Sequence, residues 1–326
     1  MKSIAFGALT ALVIALLIGP SIIKALRKMK FGQKILEDGP TWHMNKQNTP
    51  TMGGVIFIVA ITVPIIVLLP AMVSIGDYRP VLMLALSLVF AAIGFVDDYT
   101  KIKKKQNKGL TAKQKLLLQL AASALFITVM RTMGYLEPEI YIPFVNITLD
   151  LPWWLYLAFS VFVIVGCDNA VNLTDGIDGL CASVTAVVAV FFCGVFTILG
   201  SSARVFSAAL LGGLIGFLYF NKYPAKVFMG DTGSLFLGGA VCAMAYACNM
   251  PVILVPVGII YIAETLSDII QVLYFKATHG KRFFKMAPIH HHFEMCGWSE
   301  KKIVAVFTAV TAVMCVISYW GIAAAL

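Results

Sequence analysis

The stretch Asp168-Asn169-Ala170-Val171-Asn172-Leu173-Thr174-Asp175-Gly176-Ile177-Asp178-Gly179 joins two runs, 153–169 and 181–199, that are apolar enough to lie in lipid. A carboxylate at the end of a membrane helix is costly unless it is paired, hydrated or holding a cation. The chain repeats that cost at Asp97-Asp98 and again at Asp231. Acids gathered at the mouths of several apolar helices suggest a divalent cation and a phosphorylated substrate. They suit a membrane enzyme more than a membrane scaffold.

Outward from that stretch, apolar runs of bilayer-spanning length recur throughout. Ten are expected, at 3–26, 52–70, 80–97, 116–134, 153–169, 181–199, 204–220, 234–249, 251–276 and 303–325. Only Asn249-Met250-Pro251 separates the eighth from the ninth. Of the 326 residues, 60% are hydrophobic and 13% charged, with mean hydropathy +0.89. The polar stretches are too short for a soluble domain, so 1–326 reads as a single polytopic membrane domain, an all-α integral membrane protein. Residues 3–19 read as a first membrane helix and not a signal peptide, since the charged region before them is one Lys and no small-residue cleavage site follows.

Of 25 Lys and Arg, 21 fall in alternate loops that would share one side, with Lys2, Arg79, Arg131 and Arg204 on the other. The positive-inside rule then puts both termini outside and the basic loops in the cytoplasm. A basic surface also suits anionic lipid or nucleic acid. In a chain of ten spans topology is the first reading, and no nucleic-acid partner is expected. The expected inside loops are 27–51, 97–115, 167–180, 221–233 and 277–302, and all five His lie in them. Outside, the alternation of Ile, Tyr and Val with polar residues near 137–150 predicts a short β-hairpin, followed by the interfacial pair Trp153-Trp154. The seven Cys show no C-x-x-C spacing and read as small buried hydrophobes.

Four constellations carry chemistry. In Gly94-Phe95-Val96-Asp97-Asp98-Tyr99-Thr100-Lys101, two carboxylates end a span with Lys101 one turn on. Such a group can bind Mg²⁺ and the phosphate it bridges, or one acid can act as a base. The plainer alternative is Lys101 pairing Asp97 at i+4, although a helix C-terminus disfavours Asp. In Asn172 to Leu180, Gly176 and Gly179 permit tight turns beside a ligand. Asp175 and Asp178 can accept from ribose or a base, or hold metal; an ordinary Asx/Gly turn is the alternative. Val227 to Ser234 opens the eighth span. There the Thr232, Gly233 and Ser234 N–H groups suit a phosphate, and Asp231 suits an N-cap or a metal ligand. Phe228 suits stacking on a nucleobase, or plain packing. In Met286 to Phe293, three consecutive His project in different directions and suit phosphate or acid–base work better than zinc; a solvated basic loop is the alternative.

Two further segments are weaker. Lys46 and the Thr hydroxyls of the loop leading to Gly53-Gly54 suit a phosphate, or simply membrane entry. Glu264, Asp268 and Gln271 share one face of the ninth span. They read either as buried polar packing or as a wall of a cleft, with Gln271 nearest its inside end.

The strings Thr-Pro-Thr-Met-Gly-Gly, Phe-Val-Asp-Asp-Tyr, Asn-Leu-Thr-Asp-Gly-Ile-Asp-Gly-Leu, Val-Phe-Met-Gly-Asp-Thr-Gly-Ser and Pro-Ile-His-His-His-Phe occur in that order between 49 and 293. Together they resemble the polyprenyl-phosphate N-acetylhexosamine-1-phosphate transferase superfamily. The unbroken His290-His291-His292 run and the opening loop resemble its bacterial cell-wall branch.

That resemblance implies a multi-pass enzyme of the bacterial inner membrane with its active site on the cytoplasmic face. It implies transfer of phospho-N-acetylmuramoyl-pentapeptide from UDP-N-acetylmuramoyl-pentapeptide to undecaprenyl phosphate, with Mg²⁺, giving lipid I and UMP. It also implies a homodimer. By motif position it makes Asp97, Asp98, Asp231 and His290 catalytic, with Asp231 the Mg²⁺ ligand. Asn172, Asp175, Asp178, Phe228, Gly230 and Gln271 fall on the uridine side. Lys46, Thr51, Lys101, Lys115, Asn221, His291 and His292 fall where phosphate or sugar is held. A secondary transporter and a sister transferase using UDP-N-acetylglucosamine are the rival readings. Transporter sites lie near the midplane, whereas most acids here sit at inside ends.

Overall fold

The computed structural model describes residues 2–29, 49–104 and 109–323. The helices are α1 (Lys2–Lys28), α2 (Gly54–Ile75), α3 (Arg79–Lys103), α4 (Ala112–Thr132), α5 (Trp153–Thr174) and α6 (Leu180–Ile198). They continue with α7 (Arg204–Asn221), α8 (Gly230–Ala247), α9 (Leu254–Val257), α10 (Ile259–Ala277), α11 (Ile289–Met295) and α12 (Glu300–Ala323). Between α4 and α5 lies a two-stranded antiparallel hairpin, β1 (Glu139–Ile142) and β2 (Ile147–Asp150), in register Glu139↔Asp150 to Ile142↔Ile147. It falls where the alternation places it. Arg131 lies 4.1 Å over the Trp153 ring, at the mouth of α5.

Among the described residues eight helices are long and apolar enough to cross a membrane, and a bent pair raises the number to nine. The bent pair is the expected ninth span: Pro251–Val257 meets Ile259–Ala277 at 80°. Pro251 and Pro256 each lack an N–H, and Gly258 follows, so the ladder breaks where the chain turns. The expected eighth span forms as α8 but is not among the helices long and apolar enough to cross a membrane. It is enclosed on every side, with Thr232 to Ala247 all buried. Enclosed by helices and not by lipid, it needs small residues for close packing more than it needs greasy ones.

Contacts sort the loops into two ends. At one end, Asp77 accepts from Arg79 Nε at 2.8 Å and from Ser202 N at 3.0 Å, while Tyr135 Oη donates to Gly76 O at 2.9 Å. At the other end, Phe228 N donates to Pro50 O at 2.8 Å and Gly179 N to Asn221 Oδ1 at 3.1 Å. The described acids and His singled out in the sequence gather at this second, basic end. All seven Cys are free thiols; Cys181, Cys242 and Cys315 are buried as expected, Cys167, Cys193 and Cys248 are half-buried, and Cys296 is exposed.

Candidate active site

The site is built where α3 crosses α8. Gly94 lets them touch: a Cβ there would collide with the Asp231 carbonyl oxygen and lie 2.7 Å from Thr232 N. The contact brings Asp97 and Asp98 to the start of α8. Asp98 accepts from Thr232 N at 2.9 Å, Thr232 Oγ1 at 2.8 Å and Asp231 N at 3.3 Å. The free N–H groups of a helix start need acceptors, and here the acceptor comes from another helix. This corrects one expectation and narrows another. Asp231 is not the N-cap of α8, which is Met229, and of the three amides expected to seat a phosphate, that of Thr232 donates to the Asp98 carboxylate.

Asp97, Asp98 and Asp231 place one carboxylate oxygen each within 4.8 Å of one another. Lys101 threads between them, its Nζ 2.6 Å from Asp97, 3.1 Å from Asp231 and 3.9 Å from Asp98. The plain i+4 pairing of Asp97 with Lys101 is therefore present, and the same ammonium also reaches the more distant Asp231. Lys115 approaches Asp231 from α4 at 3.3 Å. A capping box starts α4, Thr111 accepting from Gln114 N and Gln114 Oε1 accepting from Thr111 N. It sets Lys115 one turn into the helix, facing the acids. Leu110 N donates to Asp97 Oδ1 at 2.8 Å, and Asn172 Nδ2 donates to Asp231 Oδ1 at 3.2 Å.

One turn deeper, Gln119 donates to Asp168 at 2.6 Å and accepts from Asn169 at 3.2 Å. Sequence reasoning missed Gln119. Its signal was a polar residue inside a span, four after Lys115.

Thr51 and Gly230 join the acids. Gly230 has φ +73°, and a Cβ there would lie 2.8 Å from both Thr51 Oγ1 and Asp98 Oδ2. Phe228 is half-buried beside them. Lys46 lies outside the described residues.

The 175–179 turn borders this cluster. Burial pushes the Asp175 carboxyl well above the usual range, and the negative charges of Asp231, Asp98 and Asp178 add to the effect. Asp178 is buried; its Oδ2 accepts from Ala225 N at 2.9 Å and its own N–H donates to Glu300 Oε2 at 3.2 Å. Asn221 uses both ends of its amide on backbone, accepting from Gly179 N and donating to Val227 O at 2.9 Å. It clamps two loops of the site together, a role that its place among phosphate and sugar contacts did not suggest.

The His run separates into three tasks, as diverging side chains imply. His290 Nδ1 meets Glu264 Oε2 at 2.9 Å, His291 Nδ1 meets Glu294 Oε2 at 2.6 Å, and His292 Nδ1 accepts from Lys285 N at 3.1 Å. The edge of the His290 ring carrying Nε2 packs on Gly176, where a Cβ would collide with it. Gln271 accepts from Phe283 N and Phe284 N and donates to Phe284 O at 3.2 Å. Gln271 and His292 thus shape the 281–285 segment. Among the described residues the His do not form a metal-holding group.

The sequence pattern of glycosyl transferase family 4 matches residues 80–249, and signature 1 of the phospho-N-acetylmuramoyl-pentapeptide-transferases matches 46–58. A phospho-N-acetylmuramoyl-pentapeptide-transferase of Clostridium acetobutylicum is 48% identical, over 98% of this chain and 99% of its own. The chain belongs to the phospho-N-acetylmuramoyl-pentapeptide-transferase family. Bacterial members from Caldanaerobacter subterraneus subsp. tengcongensis and Acetivibrio thermocellus are 45% and 46% identical. They are covered over 99% and 92% of their lengths, against 99% and 94% of this chain. This family member is a multi-pass membrane transferase, and its acid cluster lies within residues 80–249, the part that glycosyl transferase family 4 matches.

Proposed function

We propose that the protein transfers phospho-N-acetylmuramoyl-pentapeptide from UDP-N-acetylmuramoyl-pentapeptide to undecaprenyl phosphate. The products are lipid I and UMP, and the work is done at the cytoplasmic face of a bacterial inner membrane. One observation carries this: three carboxylates converge from two helices at the basic end of the bundle, with two Lys turned onto them. Phosphoryl transfer needs such charge neutralisation and positioning more than an unusual side chain.

The donor set is all hard oxygen, so the residues fit Mg²⁺. Asp231, with Asp97 and Asp98 beside it, would hold it. When bound, the ion neutralises charge on the pyrophosphate as the bond breaks. Lys101 and Lys115 keep the acid cluster compact and supply positive charge next to it. Asp98, already accepting three hydrogen bonds, holds α3 and α8 in register. Asp97 is the acid left for either of two acts, attack on the pyrophosphate or removal of a proton from the lipid phosphate. Exchange of labelled UMP into the donor without lipid, blocked in Asp97→Asn, would assign attack to Asp97. No exchange with an active enzyme would assign direct attack to the lipid phosphate.

The test is UMP release by the purified protein. Release is expected with UDP-N-acetylmuramoyl-pentapeptide and undecaprenyl phosphate together. Equal turnover of UDP-N-acetylglucosamine would overturn the donor assignment.

Sidedness has its own test. Lys281 is exposed at the basic end. In a Cys-free background, Lys281→Cys should react with an impermeant thiol reagent only after the inner membrane is opened. Labelling in intact cells with a permeabilised outer layer would invert the topology and exclude a cytoplasmic donor.

A further inference from the structure

Glu264 lies inside a membrane-spanning helix, where a carboxylate needs a reason. It is 0% exposed on α10 and meets His290, 1% exposed on α11. Its Oε2 takes both the Nδ1 contact at 2.9 Å and the His290 backbone N–H at 3.4 Å. Two fully buried atoms of this pair have no partner, Glu264 Oε1 and His290 Nε2. The Nε2 edge lies against Gly176, on the turn that carries Asp175 toward the charges of Asp231 and Asp98. The back of the imidazole is thus held by a carboxylate, and its front lies on Gly176, the residue after Asp175. The other titratable groups around it are His291, whose ring centre is 4.1 Å away and whose Nδ1 meets Glu294, and Asp268, one turn along α10.

We propose that Glu264 is the positioning residue of His290. By accepting a hydrogen bond from Nδ1–H it fixes the ring's tautomer and orientation, so that Nε2 carries the lone pair and is the atom presented to the reacting groups as a proton acceptor. A carboxylate behind an imidazole commonly does this, and its removal typically lowers function ten- to a hundredfold. A link that only packed α10 on α11 would not require a buried charge. The inference rests on the transferase reading above.

A double-mutant cycle separates the possibilities. Wild type, Glu264→Gln, His290→Ala and the double variant are compared for turnover by UMP release. Donor affinity is measured by calorimetry with UDP-N-acetylmuramoyl-pentapeptide, and folding by thermal melting. Gln keeps the shape and a hydrogen-bonding oxygen, so the variant should stay folded. Glu264→Gln should lower kcat by about ten- to a hundredfold and change donor affinity only a few-fold. In the His290→Ala background it should lower kcat no further. Wild-type turnover by Glu264→Gln, or effects of the two substitutions that multiply, would overturn the proposal while the transferase reading stands. A folded wild type that releases no UMP from this donor would instead sink the transferase reading, and the proposal with it.

Discussion

Asp231→Asn is expected to leave the protein folded and to lower UMP release by at least about a hundredfold, as loss of a charge-stabilising group does. Asp231 accepts from Lys101 and Lys115 on one oxygen and from Asn172 on the other. An Asn amide keeps one acceptor, but its NH₂ must face either Asn172 or the two ammonium groups, none of which can accept from it at those atoms. The cluster also loses one of the three carboxylates that fit Mg²⁺. The variant should therefore need more Mg²⁺ for its residual rate, and a chelator should abolish wild-type turnover. A UMP-release assay across a Mg²⁺ titration checks both. Near-normal turnover by a well-folded Asp231→Asn would remove the metal role assigned to this residue.

Gly94→Ala is expected to lower turnover by more than about tenfold and stability by about 1–3 kcal/mol, the usual cost of overpacking. The added methyl would strike backbone atoms of Asp231 and Thr232, which no side-chain rotation can relieve. Separating α3 from α8 pulls Asp98 off the N–H groups it caps and spreads the carboxylate cluster. Gly166→Ala is the control, because a Cβ at Gly166 on α5 meets no atom within 4 Å. That substitution should leave activity intact and, by helix propensity, leave stability unchanged or slightly raised. Wild-type activity and melting temperature in Gly94→Ala would show that the close crossing of α3 and α8 is not what assembles the site.

The sequence by itself determined the membrane class, the positions of most of the long helices, the hairpin and the bias of basic loops to one end, but not α11 in the expected loop 277–302. These follow from hydropathy, alternation and charge, which are properties of short segments. It also placed Asp97, Asp98, Asp175, Asp178 and Asp231 at helix ends, since an acid is tolerated in lipid only near water or a partner.

Which acid meets which group was decided only by the tertiary structure. Asp98 reads locally as a metal ligand or base, yet it caps a helix that begins 132 residues later. Asn221, Gln271 and His292 read as substrate contacts, and their polar atoms are used on nearby loops. Glu264 has no local sign that its partner is His290. Hydrogen-bond partners at such sites are chosen by how closely helices approach. That approach depends on packing across the whole bundle, on Gly94 against Asp231 and on Gly176 against His290. The break in the ninth span has the same origin. Pro251, Pro256 and Gly258 permit a bend there, but how far α10 swings is set by the helices it packs against.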